Sequence, residues 1–131
     1  MPGYFEAIVK AVKSIDPGLI IFGLSGSYLI SEAKSGGLRA ASEVFADRTY
    51  QSDGSLTPRS KANALITDTE TAKAQAVQMI EQRAVRSTDG KTVPVVPDTI
   101  CIHGDGEHAM QFATAINTEI VRRGIAIEPP A

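Results

Sequence analysis

At 131 residues and 43% hydrophobic, the chain is long enough for one domain with a real core and too short for two. Its 13 Lys and Arg against 15 Asp and Glu leave a net charge of −2, which gives no electrostatic reason to expect nucleic acid or an anionic membrane as partner. The longest apolar run, Leu19–Leu24, is far too short to span a bilayer, no basic-then-apolar leader opens the sequence, and the single cysteine, Cys101, forms no internal disulfide, so a cytoplasmic protein is expected.

Phe5, Ile8, Val9 and Val12 fall at helical spacing and predict an amphipathic helix. Asp16-Pro17-Gly18 ends it, because Pro lacks a donor and Gly permits a tight turn. The unbroken run Leu19-Ile20-Ile21-Phe22 reads as a strand covered on both faces, as in a parallel sheet. Gly23 to Ser27 forms a small-residue loop in which Ser25 or Ser27 can cap a short helix through Leu29 and Ala33, stopped by Gly36-Gly37. Glu43-Val44-Phe45-Ala46 reads as a second short strand leading into Asp47-Arg48, and a long polar loop follows from Thr49 to Arg59. Ala64-Leu65-Ile66 is a short apolar island.

Thr67 with Glu70 resembles a capping box, opening a helix that turns Ala72, Ala76, Met79 and Ile80 inward. Val85-Arg86-Ser87 and Thr92–Val96 flank an Asp89-Gly90 turn and predict a hairpin. Thr99–Ile102 is the last clear strand. A final helix from about Glu107 to Arg123 buries Ala109, Phe112, Ala113, Ile116 and Ile120, and Gly124 ends it. Alternating strands and helices predict an α/β fold with mainly parallel strands, too few of them to close a barrel of roughly eight. The chain is therefore either a small open α/β domain or part of a larger one.

Ligands of parallel α/β folds bind just beyond the carboxyl ends of the strands. Three such ends carry polar clusters: Ser25-Gly26-Ser27, Asp47-Arg48 with Glu43 at its strand's start, and His103-Gly104-Asp105. The third is the most informative, because His titrates near neutrality and is the commonest acid, base or metal ligand. Asp105 would orient it, bind a cation, or simply cap the last helix. His108 reads as a surface residue. Asp47 and Arg48 read equally as a loop ion pair. Residue types and spacing alone stop here, without naming a substrate.

The block Glu43-Val44-Phe45-Ala46-Asp47-Arg48-Thr49-Tyr50 closely resembles the E-V-F-A-D-R-x-Y segment of the LamB/YcsF family of 5-oxoprolinase subunits. Asp53-Gly54-Ser55-Leu56-Thr57-Pro58-Arg59 is similar to its D-G-x-L-x-x-R segment, and Cys101-Ile102-His103-Gly104-Asp105 to its C-x-H-G-D strand end. The likeness covers almost the whole chain and matches the C-terminal half of the family, so residues 1–131 are expected to form one domain of that half. Two departures stand out. The family's acidic N-terminal strand is absent, and Ala62-Asn63 replaces an expected Pro-Gly, a turn that Asn can preserve by adopting positive φ.

The resemblance implies part of a distorted (β/α) barrel of the glycoside hydrolase and deacetylase type. It further implies a cytoplasmic complex with two other 5-oxoprolinase subunits that opens 5-oxo-L-proline to L-glutamate with ATP, and a divalent metal such as Mg accompanying the ATP is compatible with it. On this reading His103, Asp105, Asp47 and Glu43 are catalytic candidates, with His103 and Asp105 the candidate metal ligands. Arg48, Arg59, Ser25 and Ser27 are candidates for binding substrate or phosphate, guanidinium being suited to bidentate contact with either carboxylate or phosphate. Two rivals remain: a metal-dependent deacetylase of N-acetylated sugars, and a non-catalytic half-barrel that assembles with a partner chain. The isolated chain is expected to be inactive, and to self-associate or be marginally stable.

Overall fold

A computed structural model of the chain describes residues 2–104 and 106–130. Its helices are α1 (Pro2–Ile15), α2 (Tyr28–Ser35), α3 (Thr69–Gln82) and α4 (Ala109–Arg122). Its strands are β1 (Ile20–Leu24), β2 (Arg39–Phe45), β3 (Ala84–Arg86), β4 (Thr92–Pro94) and β5 (Thr99–Cys101). Strands β1, β2 and β5 form an open, wholly parallel three-stranded sheet in that order, while β3 and β4 form a separate antiparallel hairpin.

Alternation along a strand sends successive side chains to opposite faces, and the helices gather on one of them. Ile21 and Ala40, paired across β1 and β2, pack with Val9, Ala33 and Leu38 under α1 and α2. Further along the same face, Ala46, Ile100 and Ile102 pack with Ala72 and Ala76 of α3 and with Phe112, Ile116 and Ile120 of α4. Val44 joins a third cluster with Tyr50, Met79, Val85, Val93 and Val95, which ties the hairpin to α3. The opposite face presents Phe22, Glu43, Phe45 and Cys101, and Phe22 is 46% exposed.

That exposure corrects the sequence reading of β1. The Leu19–Phe22 run is apolar throughout, yet the strand lies at the sheet's edge with one face covered, and Leu19 is exposed as well. Strand β2 begins at Arg39, well before Glu43, because it pairs along the full length of β1. Helix α3 is capped by Asp68, whose carboxylate accepts from the Thr71 N–H at 2.8 Å, so Thr67 does not form the expected capping box. Helix α4 starts at Ala109, not Glu107, and Ala113 faces outward while Phe112, Ile116 and Ile120 carry the burial. Among described residues Arg83, the C-cap of α3 with φ 52°, is the one non-glycine in the left-handed region, so Asn63 makes its turn without positive φ.

Other expectations hold. Ser27 stands at the N-cap position of α2, though its hydroxyl makes no capping bond, and Gly37 with φ 82° lets the chain leave that helix sharply. Gly90 with φ 82° turns the hairpin, as an Asp-Gly pair should. No helix among the described residues is long and apolar enough to cross a membrane.

Met79 is fully buried where α3 meets the hairpin. Met79→Ala should cost about 2–5 kcal/mol of stability by leaving a cavity, measured by urea denaturation. A change below about 0.5 kcal/mol would show that α3 does not bear on this core.

Candidate functional site

Because β2 and β5 are parallel neighbours in register Phe45↔Cys101, the residues that leave them next, Asp47 and His103, emerge side by side. Oδ2 of Asp47 accepts the His103 backbone N–H at 2.9 Å. The same carboxylate lies against His103 Nδ1, at 3.0 Å from Oδ2 and 3.2 Å from Oδ1. A carboxylate at Nδ1 makes that nitrogen the proton carrier of the neutral ring and leaves Nε2 free for a ligand. The Asp47 side chain is only 12% exposed and that of His103 29%. The Phe45 ring stacks on the imidazole with centroids 5.4 Å apart, restricting its rotation further.

Asp47 and His103 line a groove with Arg59, Ile66, His108 and Phe112. Arg59 brings a guanidinium from the long loop. His108 stacks on Phe112 at 5.9 Å and pairs Nδ1 with Gln111 Oε1 at 3.1 Å. The sequence reading puts His108 on the surface, and it is half-exposed there, stacked on Phe112 at the edge of the groove. One wall is thus apolar and the other carries an acid–imidazole pair with a cation nearby. Such a site can bind a small anion with an apolar body and move a proton at one imidazole nitrogen.

The remaining candidates lie elsewhere. Glu43 and Cys101 sit further back on the bare face of the sheet, on β2 and β5. Burial pushes the Cys101 thiol up to about 11, and the nearby Glu43 and Asp47 carboxylates add to it. Burial likewise pushes the Tyr50 phenol up to about 12, with the Phe45 N–H that it accepts working against this and the same carboxylates adding to it. Arg48 is buried, one Nη2 bond at 2.7 Å to the Thr57 carbonyl tying down the loop, and its Nε has no partner. Arg48 thus points away from the groove that Asp47 enters. Ser25 Oγ accepts the Val96 N–H at 2.8 Å, and the buried Ser27 Oγ is unpartnered, so both serve the β1 end and not the groove. Asp105 lies outside the described residues, and no cluster of three or more metal-ligating side chains occurs among those described.

An open parallel sheet with an Asp–His pair at adjacent strand ends defines an α/β protein with a polar strand-end cluster. The chain matches the LamB/YcsF family over residues 2–131 and belongs to it. It is 53% identical over 95% of its length to a 5-oxoprolinase subunit of Geobacillus kaustophilus, and 52% identical over 94% to one of Bordetella parapertussis. It covers 49% of each of these relatives, about half their length. A lactam utilization protein from Thermus thermophilus, of known crystal structure, superposes with TM-score 0.87 at 37% identity, over 95% of this chain and 49% of that one.

The raised Cys101 value carries a direct consequence. Thiolate is the reacting species, so raising the thiol from 9.0 to about 11 leaves roughly a hundredfold less of it at pH 8. Iodoacetamide should therefore alkylate the folded chain far more slowly than the urea-unfolded chain at pH 8, and the difference should close as pH approaches 11. Equal rates at pH 8 would contradict this.

Proposed function

We propose that the chain supplies the hydrolytic site of an ATP-dependent 5-oxoprolinase, acting with other subunits to open 5-oxo-L-proline to L-glutamate. The observation that carries the reading is the Asp47–His103 pair at the mouth of a groove that also holds Arg59. The names of its relatives, lactam utilization protein and 5-oxoprolinase subunit, support it.

The substrate is a five-membered lactam bearing a carboxylate. Arg59 suits the carboxylate, which its guanidinium binds in bidentate fashion, while Ile66 and Phe112 suit the ring methylenes. A lactam resists attack by water, and ATP, when bound, would supply the phosphoryl group that activates the carbonyl oxygen. Arg59 is the one Lys or Arg lining the groove among the described residues, and its guanidinium suits phosphate oxygens as well as the carboxylate. His103 Nε2 takes the proton of the attacking water, and Asp47 stabilises the imidazolium that forms. The ring then returns the proton to the departing lactam nitrogen, and a second water would release inorganic phosphate from the acyl phosphate left on that carbon, giving L-glutamate.

A second reading is favoured by the exposed Phe22 on the face away from the helices and by the sheet's open edges. On it, the chain is a non-catalytic part of a distorted (β/α) barrel that assembles with a partner chain. The two readings differ in whether this chain itself carries the reaction.

In the assembled enzyme, His103→Ala should lower 5-oxoproline-dependent ATP hydrolysis and glutamate release together, by roughly 10²–10⁴-fold. Unchanged turnover would remove the assignment. Sedimentation of the isolated 131-residue chain tests the second reading, which predicts self-association or marginal stability. A stable, monodisperse monomer with full lactam turnover would contradict it.

A further inference from the structure

Gln75 lies mid-way along α3, half-buried beside the buried Ala72, Ala76 and Met79. Ala72 and Ala76 are fully buried and small, which lets the helix approach the end of β2 closely. From there the Gln75 side-chain amide donates to the Phe45 carbonyl at 2.9 Å and to the Arg48 carbonyl at 2.8 Å. Both neighbours are carbonyl oxygens, so the amide nitrogen must face them, and its two N–H groups are fully used. The carbonyl of Asp47, which lies between them in the chain, accepts the Ile66 N–H at 2.9 Å.

The backbone on either side of Asp47 is therefore held by one side chain from outside the sheet. Asp47 itself lies past the end of β2, where the ladder to β5 no longer fixes it, and it must serve two donors of His103 at once. Small displacements there would break the second contact. We propose that Gln75 is a positioning residue that clamps the β2 exit so that the Asp47 carboxylate stays on His103 Nδ1. The clamp concerns the Asp47–His103 geometry; its effect on turnover rests additionally on the acid–base reading above.

Gln75→Met removes both donors at nearly constant length, and Gln75→Lys keeps donors of similar reach. The ring nitrogen–proton spectrum of the 131-residue chain reads the contact directly, with His108 as internal control. Gln75→Met should lose the His103 Nδ1–H signal to exchange broadening while circular dichroism stays native, and Gln75→Lys should recover it. Gln75→Asn, too short to span both carbonyls, should behave like Gln75→Met and serves if that variant fails to fold. In the assembled enzyme Gln75→Met should lower kcat roughly ten- to a hundredfold with KM for 5-oxoproline little changed. An unaltered His103 signal in a folded Gln75→Met or Gln75→Asn chain overturns the clamp. A lost signal with undiminished kcat upholds the clamp and overturns the acid–base reading instead.

Discussion

Asp47 and His103 are 56 positions apart in the chain and meet at 3.0 Å. Nothing local brings them together. Their meeting depends on β2 and β5 being adjacent, parallel and in register, so that two strand ends deliver two side chains to one place. A slip of one residue in that register would send one of them to the opposite face, among the helices. The site is thus a direct readout of sheet pairing.

The pairing is in turn held by what packs behind it. Ala46, Ala72 and Ala76 are all fully buried, and their small size brings α3 against the sheet beneath the strand ends. Phe112 fills the neighbouring space from α4 and also walls the groove, so one residue links core and site. All four helices take part in core packing on one face or its margin, which leaves the other to Phe22, Glu43, Phe45 and Cys101. A carboxylate in water-poor surroundings is costly, and the partial exposure of Glu43 tempers that cost, while the Cys101 thiol, held neutral, sits there as a small apolar group.

Much of this is legible in the sequence because it follows from local chemistry. The α1 stripe of Val9 and Val12, the Asp89-Gly90 turn and the inward Ala72, Ala76 and Met79 all obey simple periods or turn rules. The strand-end rule alone points to Asp47 and His103. What the sequence hides depends on partners distant along the chain. The β1 run reads as doubly covered because its apolar character does not reveal that it sits at an edge. Arg48 reads as a ligand-binding cation, whereas the fold turns it inward to the Thr57 carbonyl. Gln75 leaves no signal, since a polar residue between two alanines reads as exposed until the chain that it bonds is in place.

The claim beneath all of this is that Asp47 and His103 interact energetically, not merely lie near one another. A double-mutant cycle of Asp47→Asn and His103→Gln, read by urea denaturation of the 131-residue chain, measures that interaction. The account predicts a coupling of about 0.5–3 kcal/mol, the range for residues in direct contact. Effects that add to within about 0.3 kcal/mol would contradict it, leaving two independent polar residues at two strand ends.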